Sequence, residues 1–100
     1  MDQIEYKGLK VLEEVDQGMV KTIAQEYYPK IQRSLKNETS LVVHIKEAAK
    51  DGHRHRYEIS VRAKAPTRIF ESSSEEWDLS AGLHKAFKEL EHQIGHSFKD

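Results

Sequence analysis

The sequence predicts an α+β domain: a two-layer β-α-β-β-β-α sandwich in which two helices cover one face of a four-stranded mixed sheet of order 1-2-3-4. Three observations predict it. Residues 41–64 alternate apolar and polar side chains on both sides of Asp51-Gly52, the mark of a hairpin with one buried face. Two other stretches repeat apolar residues every three or four positions, the mark of helices with one greasy side. Elements with a single apolar face must bury it against one another, and the simplest packing stacks both helices on one side of the sheet and leaves the other wet.

Taken in order, Ile4 and Tyr6 alternate within residues 3–10 and predict a short first strand, with a bend at Gly8. From Leu12 the period changes. Val15, Met19, Ile23, Tyr27, Ile31 and Leu35 recur every four residues, Val20, Ala24 and Tyr28 widen the stripe, and Glu13, Glu14 and Asp16 sit where a helix dipole favours acids. Pro29 lacks a backbone donor and clashes with the carbonyl four residues back, so a kink or a break is expected near Tyr28; the stripe running on to Leu35 argues for the kink. Asn37 is the expected helix stop, and the helix connects strand one to strand two by a right-handed crossover if these are parallel neighbours.

In the first hairpin arm Leu41, Val43 and Ile45 share one side and Val42, His44 and Lys46 the other. In the second arm Tyr57, Ile59, Val61 and Ala63 share the greasy side, opposite Arg54, Arg56, Glu58, Ser60, Arg62 and Lys64. Pro66 ends that arm. Residues 67–74 predict a fourth strand with Phe70, Ser72 and Ser74 facing in, the small serines letting a helix approach closely. The last helix carries the stripe Leu79, Leu83, Phe87, Leu90, Ile94 and Phe98, with Lys99 at its end. Ser73 or Ser74 with Glu76 is expected to cap it, and Trp77 to anchor its first turn on the sheet. Gly82 and Gly95 each cost such a helix about 1 kcal/mol relative to alanine.

One hundred residues, 37% of them hydrophobic, suit a single domain over 1–100 that buries roughly 65% of its unfolded surface. The longest aliphatic run, Leu41 to Val43, is far too short to span a membrane, and the start Met1-Asp2-Gln3-Ile4-Glu5 lacks the build of a signal peptide, so the cytosol is the expected compartment. The chain has no cysteine, which removes disulfides, thiolate nucleophiles and thiolate metal ligands. Net charge is -1, but it is unevenly spread: residues 44–68 carry seven basic and three acidic side chains, a local +4 in a chain otherwise at -5. An anionic partner would meet this segment first, because distant acids are screened beyond about 8 Å at physiological salt. The bland alternative is an ordinary polar sheet face whose lysines and arginines keep the domain soluble.

The six histidines invite a metal reading, since His92 and His96 are one helical turn apart and His53 and His55 would share one side of a strand. A zinc site needs further ligands that the sequence does not supply, so no metal or other cofactor is expected. Serines 72–74 and the acids Glu75, Glu76 and Asp78 read as a strand end and a helix cap rather than a nucleophile with its base, and no glycine-rich phosphate loop occurs, so no enzyme and no small-molecule substrate is expected. The basic hairpin is the better candidate: Lys50 precedes the turn and His53, Arg54, His55 and Arg56 follow it, and arginine forks suit phosphate oxygens. With Tyr57 on the greasy face, the sheet lacks an exposed aromatic pair for stacking bases, which favours recognition of structured RNA by backbone and shape.

The element order, the stretch from Lys50 to Arg62, and the two signatures of the last helix, Asp78-Leu79-Ser80-Ala81-Gly82-Leu83 and Leu90-Glu91-His92-Gln93-Ile94, resemble the ribosome hibernation-promoting factor family, which includes the ribosome-associated inhibitor. The resemblance implies a non-enzymatic protein that binds the small ribosomal subunit and its rRNA in the channel for messenger and transfer RNA, holding idle ribosomes inactive and protected. It further implies contacts through Lys50, Arg54, Arg56 and Arg62 on the hairpin and Lys85, Lys88 and His92 on the last helix, beside Lys46 and Lys64 from the wet sheet face. Glu89 and His92 stand where family helices carry lysine or arginine. Longer members add a C-terminal dimerisation domain that this chain lacks, so a monomer off the ribosome is expected. The competing expectation is a protein-interaction or regulatory domain of the same fold whose charged sheet meets an acidic protein.

Overall fold

A computed structural model describes residues 3–97. Its elements are β1 (Ile4–Lys7), a 3-10 turn (Leu9–Val11), α1 (Glu14–Leu35), β2 (Ser40–Asp51), β3 (Arg54–Ala65), β4 (Arg68–Glu76) and α2 (Leu79–Ser97). Phe98 and Lys99, expected at the end of the last helix, lie outside the described residues, as do Met1 and Asp2. The sheet has the order β1-β2-β3-β4, with β1 parallel to β2 and the other pairs antiparallel. This is the predicted α+β sandwich. Among the described residues no helix is long and apolar enough to cross a membrane.

The core forms where the apolar faces meet: Leu41, Val43, Ile45, Ile59, Val61 and Ala63 from the sheet, Val20, Ala24, Tyr27 and Ile31 from α1, and Leu83, Phe87, Leu90 and Ile94 from α2. Tyr27 stacks on Phe87 with ring centroids 4.7 Å apart and shares a 2.9 Å hydrogen bond with His84 Nδ1, which ties the helices together. The Tyr28 hydroxyl donates to the Thr39 carbonyl at 2.6 Å, fixing the end of α1 to the start of β2. The serines behave as expected. Ser72 and Ser74 are buried under α2, and Ser74 Oγ donates to the Gly82 carbonyl at 2.7 Å. At Gly82 a Cβ would collide with Ile59 and press on Glu76, so the residue that costs the helix propensity is also what lets it sit this close.

Helix α1 runs through Pro29 without a break, as the stripe continuing to Leu35 implies, and the exposed proline ring leaves the buried residues in place. Other local expectations are corrected. The helix stops at Lys36, in the left-handed region at φ 54, one residue before Asn37. Val15, counted in the apolar stripe, is 83% exposed. The hairpin turn is formed by Gly52 and His53, with Asp51 still paired to Arg54, so glycine occupies the first central position as in a type II′ turn. Helix α2 is capped by neither Ser73, Ser74 nor Glu76, which belong to β4; the Asp78 carboxylate accepts from the Ala81 amide at 3.0 Å instead. Trp77 precedes the helix instead of lying in its first turn, and is 38% exposed.

Candidate nucleic-acid interface

The two helices run back from the hairpin end of the molecule, so the tip of β2-β3 overhangs their N-termini, and the sheet face away from them is open. By register, Val42 pairs with Arg62, His44 with Ser60 and Lys46 with Glu58 on this open face, and Glu71, Ser73 and Glu75 of β4 lie opposite Arg62, Ser60 and Glu58. Lys46 and Lys64 stand there with no carboxylate within 4 Å among the described residues. Arg62 is held by Glu71, with Nε and Nη2 each 2.7 Å from the same carboxylate oxygen, and Arg56 lies 3.8 Å from Glu75. The open face therefore carries Lys7, Lys46, Arg56, Arg62 and Lys64 against Glu5, Glu58, Glu71 and Glu75, a mosaic rather than a uniformly cationic surface. The sequence reading counted the hairpin alone; it is the flanking strands, β4 above all, that add the acids.

A β-bulge between Glu47 and Ala49 divides the hairpin. Beyond it Ala49 pairs with Arg56 and Lys50 with His55, so Lys50 belongs by register to the helix side with Tyr57, not to the open face with Arg56 and Arg62. Glu47 is turned to the same side and accepts a 2.9 Å contact from His55 Nδ1. Arg54 leaves the open face as well: its guanidinium carbon sits 4.6 Å from the centre of the Trp77 ring. Arg54 and Trp77, with His53, His55 and Tyr57, line a cleft of about 630 Å³ beneath the overhanging tip, closed on the far side by Glu13, Asp16 and Met19 of the α1 end and by Asp78 and Ser80 of the α2 end. Burial first, then the nearby charges of Asp16, Glu47 and Glu13, pushes the Tyr57 hydroxyl above its ordinary pKa.

The helix residues named from the resemblance do come together. Lys85, Lys88 and His92 line one groove of about 600 Å³ with Ser73 and Glu89, along the free edge of β4. Lys85 also reaches Glu76 at 3.3 Å. The structure thus distributes the nine candidate residues over three surfaces: Lys46, Arg56, Arg62 and Lys64 on the open face, Lys50 and Arg54 at the hairpin end, and Lys85, Lys88 and His92 in the edge groove. Of the histidine pairs, His92 and His96 meet edge to face at 4.5 Å, and His53 sits in the turn rather than on a strand with His55. Among the described residues no three His, Asp or Glu side chains gather as a metal site would require. What the sequence reading missed is the cleft and the exposure of Trp77. Only a bulge that redirects β2 and a cap at Asp78, rather than earlier, reveal them.

Comparison with known proteins bears on the fold. Over 97% of this chain and 99% of the other, the structure is similar to the N-terminal domain of Protein Y from Thermus thermophilus, with a TM-score of 0.73 and 18% sequence identity. A ribosomal subunit interface protein from Coxiella burnetii matches over 94% of each chain, with a TM-score of 0.58 and 12% identity. At these identities the likeness is one of fold. No protein-family model and no curated protein matches the sequence.

Proposed function

We propose that this chain is a non-enzymatic, cytoplasmic, ribosome-associated factor that binds rRNA of the small subunit and keeps idle ribosomes inactive and protected. The observation that carries this reading is the match of fold, over 94% of both chains, with a ribosomal subunit interface protein, in a chain whose last helix and hairpin bear the family-like motifs. The contacts are to phosphates. Lys46, Lys50, Lys64 and Lys88 are free of ion pairs among the described residues, and Arg56 and Arg62 sit in exposed pairs that exchange a carboxylate for a phosphate at little cost, since such pairs are worth about 0 to 1 kcal/mol.

Co-sedimentation of the purified protein with small ribosomal subunits at two salt concentrations tests this. Binding is expected to weaken with salt on a log-log plot, by about 0.7 to 0.9 in slope for each phosphate neutralised. Replacing Lys46, Lys50 and Lys64 with alanine is expected to flatten that slope. Absence of co-sedimentation at low salt overturns the proposal, and an unchanged slope in the triple variant overturns the assignment of these lysines. The alternating charges of the open face favour a second reading, a protein partner with the complementary mosaic; binding to ribosomes that is nearly insensitive to salt would select it.

A further inference from the structure

We infer that the cleft beneath the hairpin tip is a pocket for one unpaired nucleobase, with guanine the best fit; the inference rests on the RNA-binding reading and adds a base-specific site to its phosphate contacts. Three features of the cleft point to this ligand. First, Trp77 is 38% exposed at its mouth and already carries the Arg54 guanidinium 4.6 Å from the ring centre, so an aromatic plane and a cationic plane stand together where a flat ring can join them. Second, the cleft is roomy, about 630 Å³, and its walls carry carboxylates of Glu13, Asp16 and Asp78. The Watson–Crick edge of guanine presents two adjacent N–H donors, N1 and N2, which a carboxylate accepts side by side. Asp78 accepts the Ala81 amide on one oxygen, which leaves the second lone pair of that oxygen and the whole of the other for this edge. Third, basic groups stand at the rim: His53 in the turn lines the cleft and Lys50 flanks it on the same side of the hairpin, placed for the phosphate of a base turned inward.

A cationic peptide is the obvious rival for a cleft with acidic walls. It fits less well, because the Arg54 guanidinium already beside Trp77 repels a second cation, whereas an uncharged base stacks against a guanidinium without penalty.

Trp77 is the only tryptophan in the chain, so its fluorescence reports the pocket directly. The probes are two single-stranded hexanucleotides, all-uridine and all-uridine with one central guanosine, and a tetra-arginine peptide, titrated with excitation at 295 nm and a free-tryptophan control. The guanosine-containing RNA is expected to quench Trp77 and to bind at least about fivefold more tightly than the all-uridine strand, the lower end of what one stacked base contributes. Asp78→Asn, which still caps the helix because asparagine caps as well as aspartate, is expected to abolish that preference while leaving the weaker, shared binding. Arg54→Ala is expected to weaken binding of the guanosine strand severalfold. Equal quenching by both RNAs, a preference that survives in both Asp78→Asn and Asp16→Asn, or quenching by tetra-arginine alone each overturns the inference. Co-sedimentation with small subunits separates it from the parent reading: normal ribosome binding by Trp77→Ala together with no guanosine preference removes the pocket and leaves the ribosomal function standing, whereas guanosine-selective quenching without co-sedimentation keeps the pocket and removes that function.

Discussion

At Gly8 the backbone takes φ 82 and passes so close to β2 that a Cβ would lie far inside contact distance of the Ile45 carbonyl oxygen. The obstacle is main chain of β2, held there by its pairing with β3, and cannot rotate away. Gly8→Ala is therefore expected to lower stability by at least about 2 kcal/mol, combining the left-handed penalty with the collision, read as a fall in the urea midpoint. Ser74 gives a milder case. Its hydroxyl is buried and spent on the Gly82 carbonyl, so Ser74→Ala is expected to cost about 1 kcal/mol in the same experiment. The bend at Gly8 and the inward serines were readable from residue type and alternation. That Gly82 is required for close packing was not, because the atoms it avoids come from Ile59, 23 positions earlier, and from the strand before it.

Among the elements, α1 keeps a proline in its interior with no buried contact to justify it: Pro29 is exposed, and its missing N–H leaves one helical carbonyl without its partner. Pro29→Ala is expected to raise stability by about 1 to 3 kcal/mol, and a fall instead would mean that the curvature it imposes is needed for α1 to follow the sheet. The contact between α1 and α2 has a pH signature. Burial first, then the charges of Glu91 and Glu26, holds the Tyr27 hydroxyl above its usual pKa. Below pH about 10 the tyrosine is protonated in both folded and unfolded chains and contributes no slope; above it the unfolded chain loses the proton first, binds fewer protons than the folded one, and stability falls as pH rises. Urea midpoints between pH 9 and 11 are expected to decline, and Tyr27→Phe, which cannot ionise, is expected to flatten part of that decline while lowering the midpoint at pH 8 through loss of the bond to His84.

For the whole molecule the decisive feature is how charge is shared between strands. Glu71 and Glu75 on β4 neutralise Arg62 and Arg56 across the strand boundary, so the open face reaches a polyanion with less positive potential than the hairpin alone offers. If that face meets RNA, Glu71→Gln with Glu75→Gln is expected to tighten co-sedimentation with small subunits severalfold at low salt and to steepen the salt slope. If only the edge groove and hairpin end make contact, the double variant sediments as the parent does, and Lys85→Ala with Lys88→Ala is the pair that weakens binding.

The fold was written in the chain itself, because strand alternation and helical stripes are local, repeat every two or about 3.6 residues, and can be satisfied together by one two-layer stacking of elements in this order. Core membership along Leu41 to Ala63 and Leu79 to Ile94 followed from the same periods. The interface did not, for a physical reason: a period tells which way a side chain points but not what stands beside it. Pairing brought glutamates of β4 next to arginines nine or more residues away, a single bulge turned Lys50 to the opposite side, and the overhang of the hairpin above two helix ends made a cleft from residues 11 to 80 that share no local pattern.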